Sequence, residues 1–316
     1  MAEVATGGLA GKIFGVLVAV LEVLWLQVRI YAEVFRGVYL TLVPPPEKSV
    51  AGEVVLVTGA GHGIGREVAL KYGSLGATVV CMDINEKGAA ETAKDIKGMG
   101  VKSAAYKCDV SNRDEVLAVA KKITQEVGPV TVLVNNAGIM PTKPFLEHTP
   151  EEIERIFDIN MLAHCWLLQA FLPSMMERKH GHVVAVSSMC GQAGTTNLAP
   201  YCASKYAVRG FMESLAVEQY DLRPDLVDKV RFTTIYPYMV NTGLVKSHSV
   251  RFGGFMPILN PAEVGAEIVS AMRRNETEVS VPGWMFHFFR FMRLYPTSVA
   301  FMIRDYLQVK IEGEKK

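Results

Sequence analysis

Between Thr58 and Gly65 the chain reads Thr-Gly-Ala-Gly-His-Gly-Ile-Gly, directly after the apolar run Val54-Val55-Leu56-Val57. Few folds place four glycines at such a junction. The apolar run predicts a buried parallel strand, and an apolar-periodic helix follows it. Glycines in that turn let the backbone approach a pyrophosphate closely, and the helix N-terminus offers free N–H groups and the positive end of its dipole. Asp83 closes the next apolar run, Ala77 to Met82. It stands about 20 residues on, where a dinucleotide fingerprint places its ribose-binding carboxylate. A glycine-rich turn with a purely structural task is the competing reading.

Further motifs follow in order. Asn135-Asn136-Ala137-Gly138 comes after the run Val130 to Val134, and Ser187-Ser188 ends the run Val183 to Val186. Tyr201 and Lys205 stand as Tyr-x-x-x-Lys, thirteen residues after Ser188. A tyrosine and a lysine four apart project from one helix face. A nearby ammonium favours the phenolate, so the spacing predicts a lowered Tyr201 pKa and an acid/base usable near neutral pH. Taken alone, such a pair also occurs on any surface helix.

With these residues in this order, the chain resembles the short-chain dehydrogenase/reductase family over roughly residues 50 to 282. The resemblance implies an α/β fold in one domain, a doubly wound Rossmann-type parallel sheet of about seven strands. It implies that Tyr201 removes the proton from an alcohol while hydride passes to a nicotinamide, and that Ser188 places the substrate oxygen. Lys205 would hold the ribose hydroxyls and tune Tyr201. Asn160 matches the asparagine that supports a water-linked proton path, with an ordinary polar helix residue as its alternative. Around the cofactor the resemblance places Gly59, Gly61, His62, Gly63, Ile64 and Gly65 at the pyrophosphate, and Asp109 and Val110 at the adenine. Asn136, Ala137 and Gly138 border the cofactor, and Pro237, Val240 and Thr242 surround the nicotinamide, with Tyr201 and Lys205 contributing from the catalytic side. Tyr238 stands where the family usually has glycine, and its side chain is expected to crowd the nicotinamide or the substrate mouth.

Cofactor choice rests on Asp83. A carboxylate there binds both ribose hydroxyls of the adenosine half and repels a 2′-phosphate. NADP-preferring relatives often carry Lys or Arg in the glycine loop or just after the second strand. Here the loop has His62, and Ile84 and Asn85 follow Asp83. Arg66, past the last glycine, reads as a surface residue. NAD is the expected cofactor.

A chain of 316 residues is long enough for one such domain with a sizeable core. A formal charge of +1 gives no electrostatic case for nucleic acid. Five cysteines lack paired metal-ligand spacing, and the seven histidines form no H-x-x-x-H pair, so no metal is expected. The cysteines read as small core residues in a reducing, cytosol-facing environment. Cys190 and Cys202 lie near Ser188 and Tyr201 in sequence, so thiol modification there is expected to reach activity.

Half of the residues are hydrophobic, and a mean hydropathy of +0.20 is high for a soluble enzyme. The excess sits at the two ends. Residues 13–43 are apolar apart from Glu22, Arg29, Glu33 and Arg36 and run into Pro44-Pro45-Pro46. The longest uncharged run, Ile13 to Leu21, is too short to span hydrocarbon, and no small-residue cleavage site follows it. At about 100° per residue the four charges fall on one narrow stripe. Such a helix lies in a membrane interface with its stripe toward water, or buries the stripe against a second copy, or packs on the protein's own core. Trp284 to Arg293 is aromatic and basic and suits a headgroup region, with a core helix as the alternative. Between Gly243 and Pro261, the apolar Leu244, Val245, Phe252, Phe255, Met256 and Leu259 are expected to cover a hydrophobic alcohol. Lys246, His248 and Arg251 are placed to meet anionic headgroups or solvent.

Three segments are expected: a membrane anchor over residues 1–46, the catalytic domain over 47–282, and a membrane-contacting tail over 283–316. Within the family, the anchor, the glycine loop and the Asp83 region resemble the branch of lipid-droplet 17-beta-hydroxysteroid dehydrogenases and membrane retinol dehydrogenases. That resemblance implies NAD-dependent oxidation of a steroid, retinol or related lipid alcohol. The place implied is the endoplasmic reticulum membrane or lipid droplets, with the catalytic domain facing the cytosol. It also implies a homodimer through helices near 151–178 and 200–222. An NADPH-dependent reductase of a lipid ketone, and a non-enzymatic scaffold of the same fold, stand as alternatives.

Overall fold

The computed structural model describes residues 8–243, 248–249, 258–307 and 310–311. The chain divides into two compact units, one ending at Glu47 and the other beginning at Lys48. In the first, a single helix α1 runs from Leu9 to Leu42. Its 34 residues make it about 50 Å long at 1.5 Å per residue. Val, Leu and Ile side chains project on nearly every side, and Trp25 and Phe35 are 64% and 73% exposed. Arg36 pairs with Glu33 at 3.1 Å, one turn along the charged stripe. The stretch Gly11–Leu40 is long and apolar enough, by length and composition, to cross a membrane.

The second unit is built on parallel strands. Its elements in order are β1 (Val54–Thr58), α2 (Gly63–Ser74), β2 (Thr78–Asp83), α3 (Glu86–Gly98), β3 (Ser103–Lys107), α4 (Arg113–Glu126) and β4 (Val132–Asn135). Helix α5 (Pro150–Phe157) passes through a π-helical turn, Asp158–Leu162, into α6 (Ala163–Glu177), followed by β5 (Gly181–Val186) and α7 (Ala199–Leu222). Then come β6 (Val230–Pro237), the two-residue β7 (His248–Ser249), α8 (Pro261–Arg273), β8 (Glu278–Val281), α9 (Trp284–Met292), α10 (Thr297–Leu307) and β9 (Lys310–Ile311). Seven strands form one sheet in the order β3-β2-β1-β4-β5-β6-β8, all parallel, and β7 pairs with β9 apart from it.

Strand sequences set the layering. Successive side chains leave a strand on opposite faces. Val55 and Val57 therefore join Val79, Cys81 and Val134 in a core with Val68 of α2 and Ile268 of α8. Leu56 joins Val80, Met82 and Leu133 in the opposite core with Leu167 and Phe171 of α6 and Val208 of α7. Both faces are covered, so the central strands β1, β2 and β4 read as nearly continuous apolar runs. Between β1 and β4 the order of connection reverses, and the crevice outside the strand ends at such a point is where α/β sheets hold ligands.

At the opposite edge a polar chain ties down the start of the domain. Thr233 Oγ1 donates to the Glu276 carbonyl at 2.6 Å and therefore accepts from His182 Nε2 at 2.8 Å. His182 Nδ1 is left as the acceptor for Lys48 Nζ at 3.0 Å. Burial and the neighbouring cations hold the His182 pKa well below its ordinary value, so the ring is neutral.

Candidate active site

The glycine loop is shaped by close approach. Gly59 has φ +65°, and a Cβ on it would stand 2.9 Å from Asn136 Nδ2. At Gly65 a Cβ would run into the Gly59 carbonyl. The third and fourth glycines bracket the start of α2, whose N-cap His62 is extended and makes no side-chain cap bond. The first-turn N–H groups of α2 are thus presented toward the loop. Thr242, after β6, folds over this turn, its methyl 3.1 Å from where a Gly63 Cβ would be.

Asp83 ends β2 at 6% exposure. Its Oδ2 accepts the Gly61 N–H and its Oδ1 accepts the Asn85 N–H, both at 2.8 Å. Asp109 Oδ1 accepts from the Ser111 N–H at 3.0 Å and the Ser111 hydroxyl at 2.7 Å, which fixes the turn that carries Val110. Asn136, after β4, donates through Nδ2 to the Thr58 carbonyl at 2.9 Å. In return the Thr58 hydroxyl accepts the N–H groups of Asn136 and Ala137 at 3.0 and 3.1 Å.

On the other side of the crevice, β5 delivers Ser188 beside α7. The Tyr201 phenol lies near the Ser188 hydroxyl, and Ser188 Oγ accepts the Cys190 N–H at 3.1 Å. Lys205, four residues along α7, is 4% exposed. Its Nζ donates to the Val186 carbonyl at 3.0 Å and stands 5.8 Å from the centroid of the Tyr201 ring. Asn160 lies in the π-helical turn, fully buried. Its Oδ1 accepts the Ile139 N–H at 2.8 Å, while Nδ2 donates to the Ile139 carbonyl at 2.9 Å and to Ser204 Oγ at 3.1 Å. The side chain thereby joins the loop after β4 to α7. Gly138 sits between the two, its would-be Cβ 3.1 Å from Asn160 Oδ1 and 3.6 Å from Lys205 Nζ.

One expectation is corrected here. The Tyr201 pKa is not lowered by Lys205; it is raised above the ordinary phenol value. Burial is the largest cause and the neighbouring Cys190 adds to it, while the Ser188 hydrogen bond opposes them. Desolvation acts on the whole phenolate, whereas the ammonium stands 5.8 Å from the ring centroid and is committed to the Val186 carbonyl. Burial also brings Lys205 down to about 8. Both groups are driven toward their neutral forms.

These residues line one cavity of about 1260 Å³. Gly59, His62, Gly63, Ile64, Asp83, Asp109, Val110, Asn136, Ala137, Gly138, Ser188, Tyr201, Lys205, Pro237, Val240 and Thr242 all border it. Gly61, Gly65 and Asn160 do not; they shape the wall from behind. Tyr238 borders the cavity with its ring against the cluster of Met189, Tyr236, Met285 and Phe286, and burial pushes its pKa up to about 12. Leu259 bridges to Val240. Leu244, Val245, Lys246, Arg251, Phe252, Phe255 and Met256 lie outside the described residues.

The C-terminal aromatic stretch also takes part in the wall. Trp284, Phe288 and Met292 of α9 and Ala300, Phe301 and Ile303 of α10 line the same cavity. Met285 and Phe286 are buried, the latter stacked 5.7 Å from Tyr236. Arg293 donates to the Gln192 carbonyl and to the Tyr206 hydroxyl, each at 2.9 Å, and Arg304 contacts Thr196. The burial of Met285 and Phe286 packs α9 on the domain as the core-helix alternative expects, while Phe291 stays 55% exposed. Among the described residues, no group of three or more His, Cys, Asp or Glu side chains is placed to hold a metal ion.

Comparison with known proteins matches this arrangement. A family profile described as short chain dehydrogenase covers residues 53–251. The chain is 36% identical to human 17-beta-hydroxysteroid dehydrogenase 13 over 294 residues, 93% of this chain and 96% of that one. It is 38% identical to human epidermal retinol dehydrogenase 2 over 276 residues, 87% of this chain and 88% of the relative. Among solved structures, a metagenomic short-chain oxidoreductase in complex with NADP superposes with a TM-score of 0.62 at 29% identity, covering 74% of this chain and 97% of that one.

Proposed function

The chain belongs to the short-chain dehydrogenase family, and from that premise we propose that it oxidises a hydrophobic lipid alcohol to the carbonyl with NAD. One observation carries the reading. Ser188, Tyr201 and Lys205 share a single cavity with a glycine loop and with the apolar side chains of α9 and α10. Its volume of about 1260 Å³ exceeds the roughly 300–1,000 Å³ of ordinary small-molecule sites, leaving room for a dinucleotide and an apolar ligand together.

The glycine loop fits a dinucleotide: Gly59, Gly63 and Ile64 border the cavity at the start of α2, and the turn is too tight to admit a Cβ at Gly59 or Gly65. The first turn of α2 would face the pyrophosphate, Asp83 the adenosine ribose, and Lys205 the nicotinamide ribose. When bound, NAD supplies the acceptor for the carbinol hydride. Tyr201 takes the hydroxyl proton, and Ser188 holds the substrate oxygen beside it. Asn160 keeps the Ile139 loop and α7 in register, so that Tyr201 and Lys205 keep their positions. Asp83 in the wall supports NAD over NADP, since its charge repels a 2′-phosphate. Arg66, in the first turn of α2, is occupied with Glu67 at 3.0 Å and Asp95 at 2.7 Å. The solved relative that holds NADP makes cofactor titration the direct test.

The names of the relatives, a steroid and a retinol dehydrogenase, support an apolar alcohol. In this reading residues 1–46 anchor the protein through α1, residues 47–282 carry the chemistry, and 283–316 lead from the cavity to a membrane or lipid-droplet surface. Exposed Phe291, Leu294, Phe301 and Met302 beside Arg290 and Arg304 suit that task. The site assigned is the endoplasmic reticulum and lipid droplets, with the second unit in the cytosol. A homodimer through α5–α6 and α7 is part of the proposal, motivated by exposed Val217, Tyr220 and Leu222 on α7. A monomeric mass by light scattering in mild detergent overturns that part.

A second reading, reduction of a lipid ketone, is favoured by the raised Tyr201 pKa, which keeps the phenol a proton donor. The deciding experiment follows NADH formation by full-length protein in detergent with retinol, steroid and long-chain alcohols, beside Tyr201→Phe. Turnover lost in the variant supports the dehydrogenase. Silence across the panel, with NAD binding intact by calorimetry, supports a scaffold of the same fold.

A further inference from the structure

Two thiols press on the proposed catalytic pair. Cys190 lies in the short turn after Ser188 and lines the cavity. Cys202 follows Tyr201 on α7 and is buried. Both are free, and they share one packed cluster with Leu198 and Tyr201. Cys190 packs against the buried pair Leu198 and Cys202, so the two thiols influence each other's ionisation, and Cys190 Sγ lies 3.6 Å from Thr195 Oγ1. Two other cysteines are differently placed. Cys81 and Cys108 sit in opposite cores, where burial pushes each thiol up to about 12. In the 190/202 pair, the neighbouring thiol and the N–H groups of Thr195 and Cys202 ease loss of the first proton, and that charge strongly opposes loss of the second.

We propose that Cys190 and Cys202 form a hydroperoxide-sensitive dithiol whose oxidation to a disulfide switches this active site off. The effect on turnover rests on the dehydrogenase reading; the disulfide itself does not. Once Cys202 has given its proton to solvent, the sulfur of Cys190, which faces the cavity, attacks the terminal oxygen of the hydroperoxide as its own proton passes to the Cys202 thiolate. The O–O bond breaks, and the leaving alkoxide or hydroxide takes a proton from solvent. Cys202 then attacks the sulfenic sulfur of Cys190, forming the S–S bond and releasing water. Overall, two thiols and one hydroperoxide give a disulfide, an alcohol or water, and one further water. Hydrogen peroxide and a lipid hydroperoxide share this chemistry, and the apolar cavity gives the second a route to Cys190.

Closing the pair to a covalent S–S bond of about 2 Å draws the turn after β5 toward α7. Ser188 Oγ accepts the Cys190 N–H, and Tyr201 is the residue before Cys202, so both hydroxyls move with the thiols. Misplacement of reacting groups by about 1 Å lowers turnover ~100-fold.

Trypsin releases residues 180–205 as one peptide that holds both cysteines and no internal Lys or Arg. Full-length protein in detergent is treated with hydrogen peroxide or with linoleic acid hydroperoxide, alkylated and digested. The expected peptide is lighter by two hydrogens and unalkylated, turnover falls ~100-fold, and dithiothreitol reverses both. Cys202→Ala keeps its turnover through the same treatment. A greater response to the lipid hydroperoxide assigns the cavity as the route, and an equal response assigns the small oxidant. The proposal is overturned by two alkylated thiols after treatment, by a disulfide that leaves turnover unchanged, or by a Cys202→Ala enzyme as sensitive as the parent. Should Cys202→Ala not fold, Cys190→Ala is read instead, for the oxidant sensitivity of whatever turnover it retains. If no alcohol is turned over, the peptide mass still decides the disulfide, so the two readings fail separately.

Discussion

Thr58 and Asn136 clasp the ends of two adjacent strands from both sides. The Thr58 hydroxyl accepts the Asn136 N–H at 3.0 Å, and the Asn136 amide returns a bond to the Thr58 carbonyl at 2.9 Å. The clasp closes β1 onto β4 where the sheet reverses, directly behind Gly59. Thr58→Val keeps the shape and strands two backbone N–H groups, an expected loss of about 1–3 kcal/mol. Chemical denaturation reads it as a lower midpoint with an unchanged slope. Dinucleotide affinity by calorimetry should weaken in parallel; a variant as stable and as tight-binding as the parent removes the clasp from the account.

Tyr201→Phe deletes the proposed proton acceptor and little else. Loss of a general base typically lowers turnover ~10²–10⁴-fold, with dinucleotide affinity within a few-fold of the parent. Near-normal turnover at saturating NAD would show that another group takes the proton.

A Tyr201 pKa above the ordinary phenol value also fixes the direction of the pH response. Oxidation needs the phenolate, whose fraction grows as pH rises, so kcat/KM for the alcohol should climb from about pH 7 to 9 without a plateau. Reduction of the matching ketone needs the phenol and should not climb over that range. A plateau for oxidation below pH 7 would mean that the bound state restores the charge effect expected of Lys205.

Buried histidines make the fold acid-sensitive. Burial holds His164 down to about 3 and His182 well below its ordinary value. Below about pH 6.5 the unfolded chain binds protons at both positions and the folded chain does not, so stability falls with falling pH. The two rings together contribute a slope of up to about 2.7 kcal/mol per pH unit. Urea midpoints at pH 7 and pH 5 measure it, and His164→Asn should flatten the slope by about one proton. An unchanged slope would mean that His164 is already charged in the fold.

Asp83→Ala should relax the proposed preference for NAD and admit NADP. It also releases the N–H groups of Gly61 and Asn85, so binding of both cofactors should weaken. The ratio of kcat/KM for the two cofactors is the readout, and an unchanged ratio would place the discrimination elsewhere.

The fold and half of the site were legible because their signals are local. Four glycines between an apolar strand and a helix, Asp83 at the next strand end, and Tyr201 four residues before Lys205 each state a geometry within a few residues. The environment of those groups was not legible in the same way. Spacing brought Lys205 to the face of Tyr201, but the burial that outweighs its charge comes from packing of residues far apart in sequence. Asn160 read as a helix residue, and nothing local in Asp158-Ile159-Asn160 announces the π-helical turn that seats it against Ile139 and Ser204. For residues 284–307, composition spoke of lipid, while the partners that make α9 and α10 into a cavity wall, Tyr236, Gln192 and Tyr206, are distant in the chain.

That wall separates two tasks along the polypeptide. The proposed proton-transfer groups and the glycine loop belong to strands and helices complete by Thr242, whereas much of the apolar lining is supplied by the last two helices. On the proposed function, exchange of residues 284–307 between relatives is a way to re-aim the cavity at a different alcohol with the sheet, the clasp and the proposed catalytic trio untouched. Selectivity in such a molecule is a removable part.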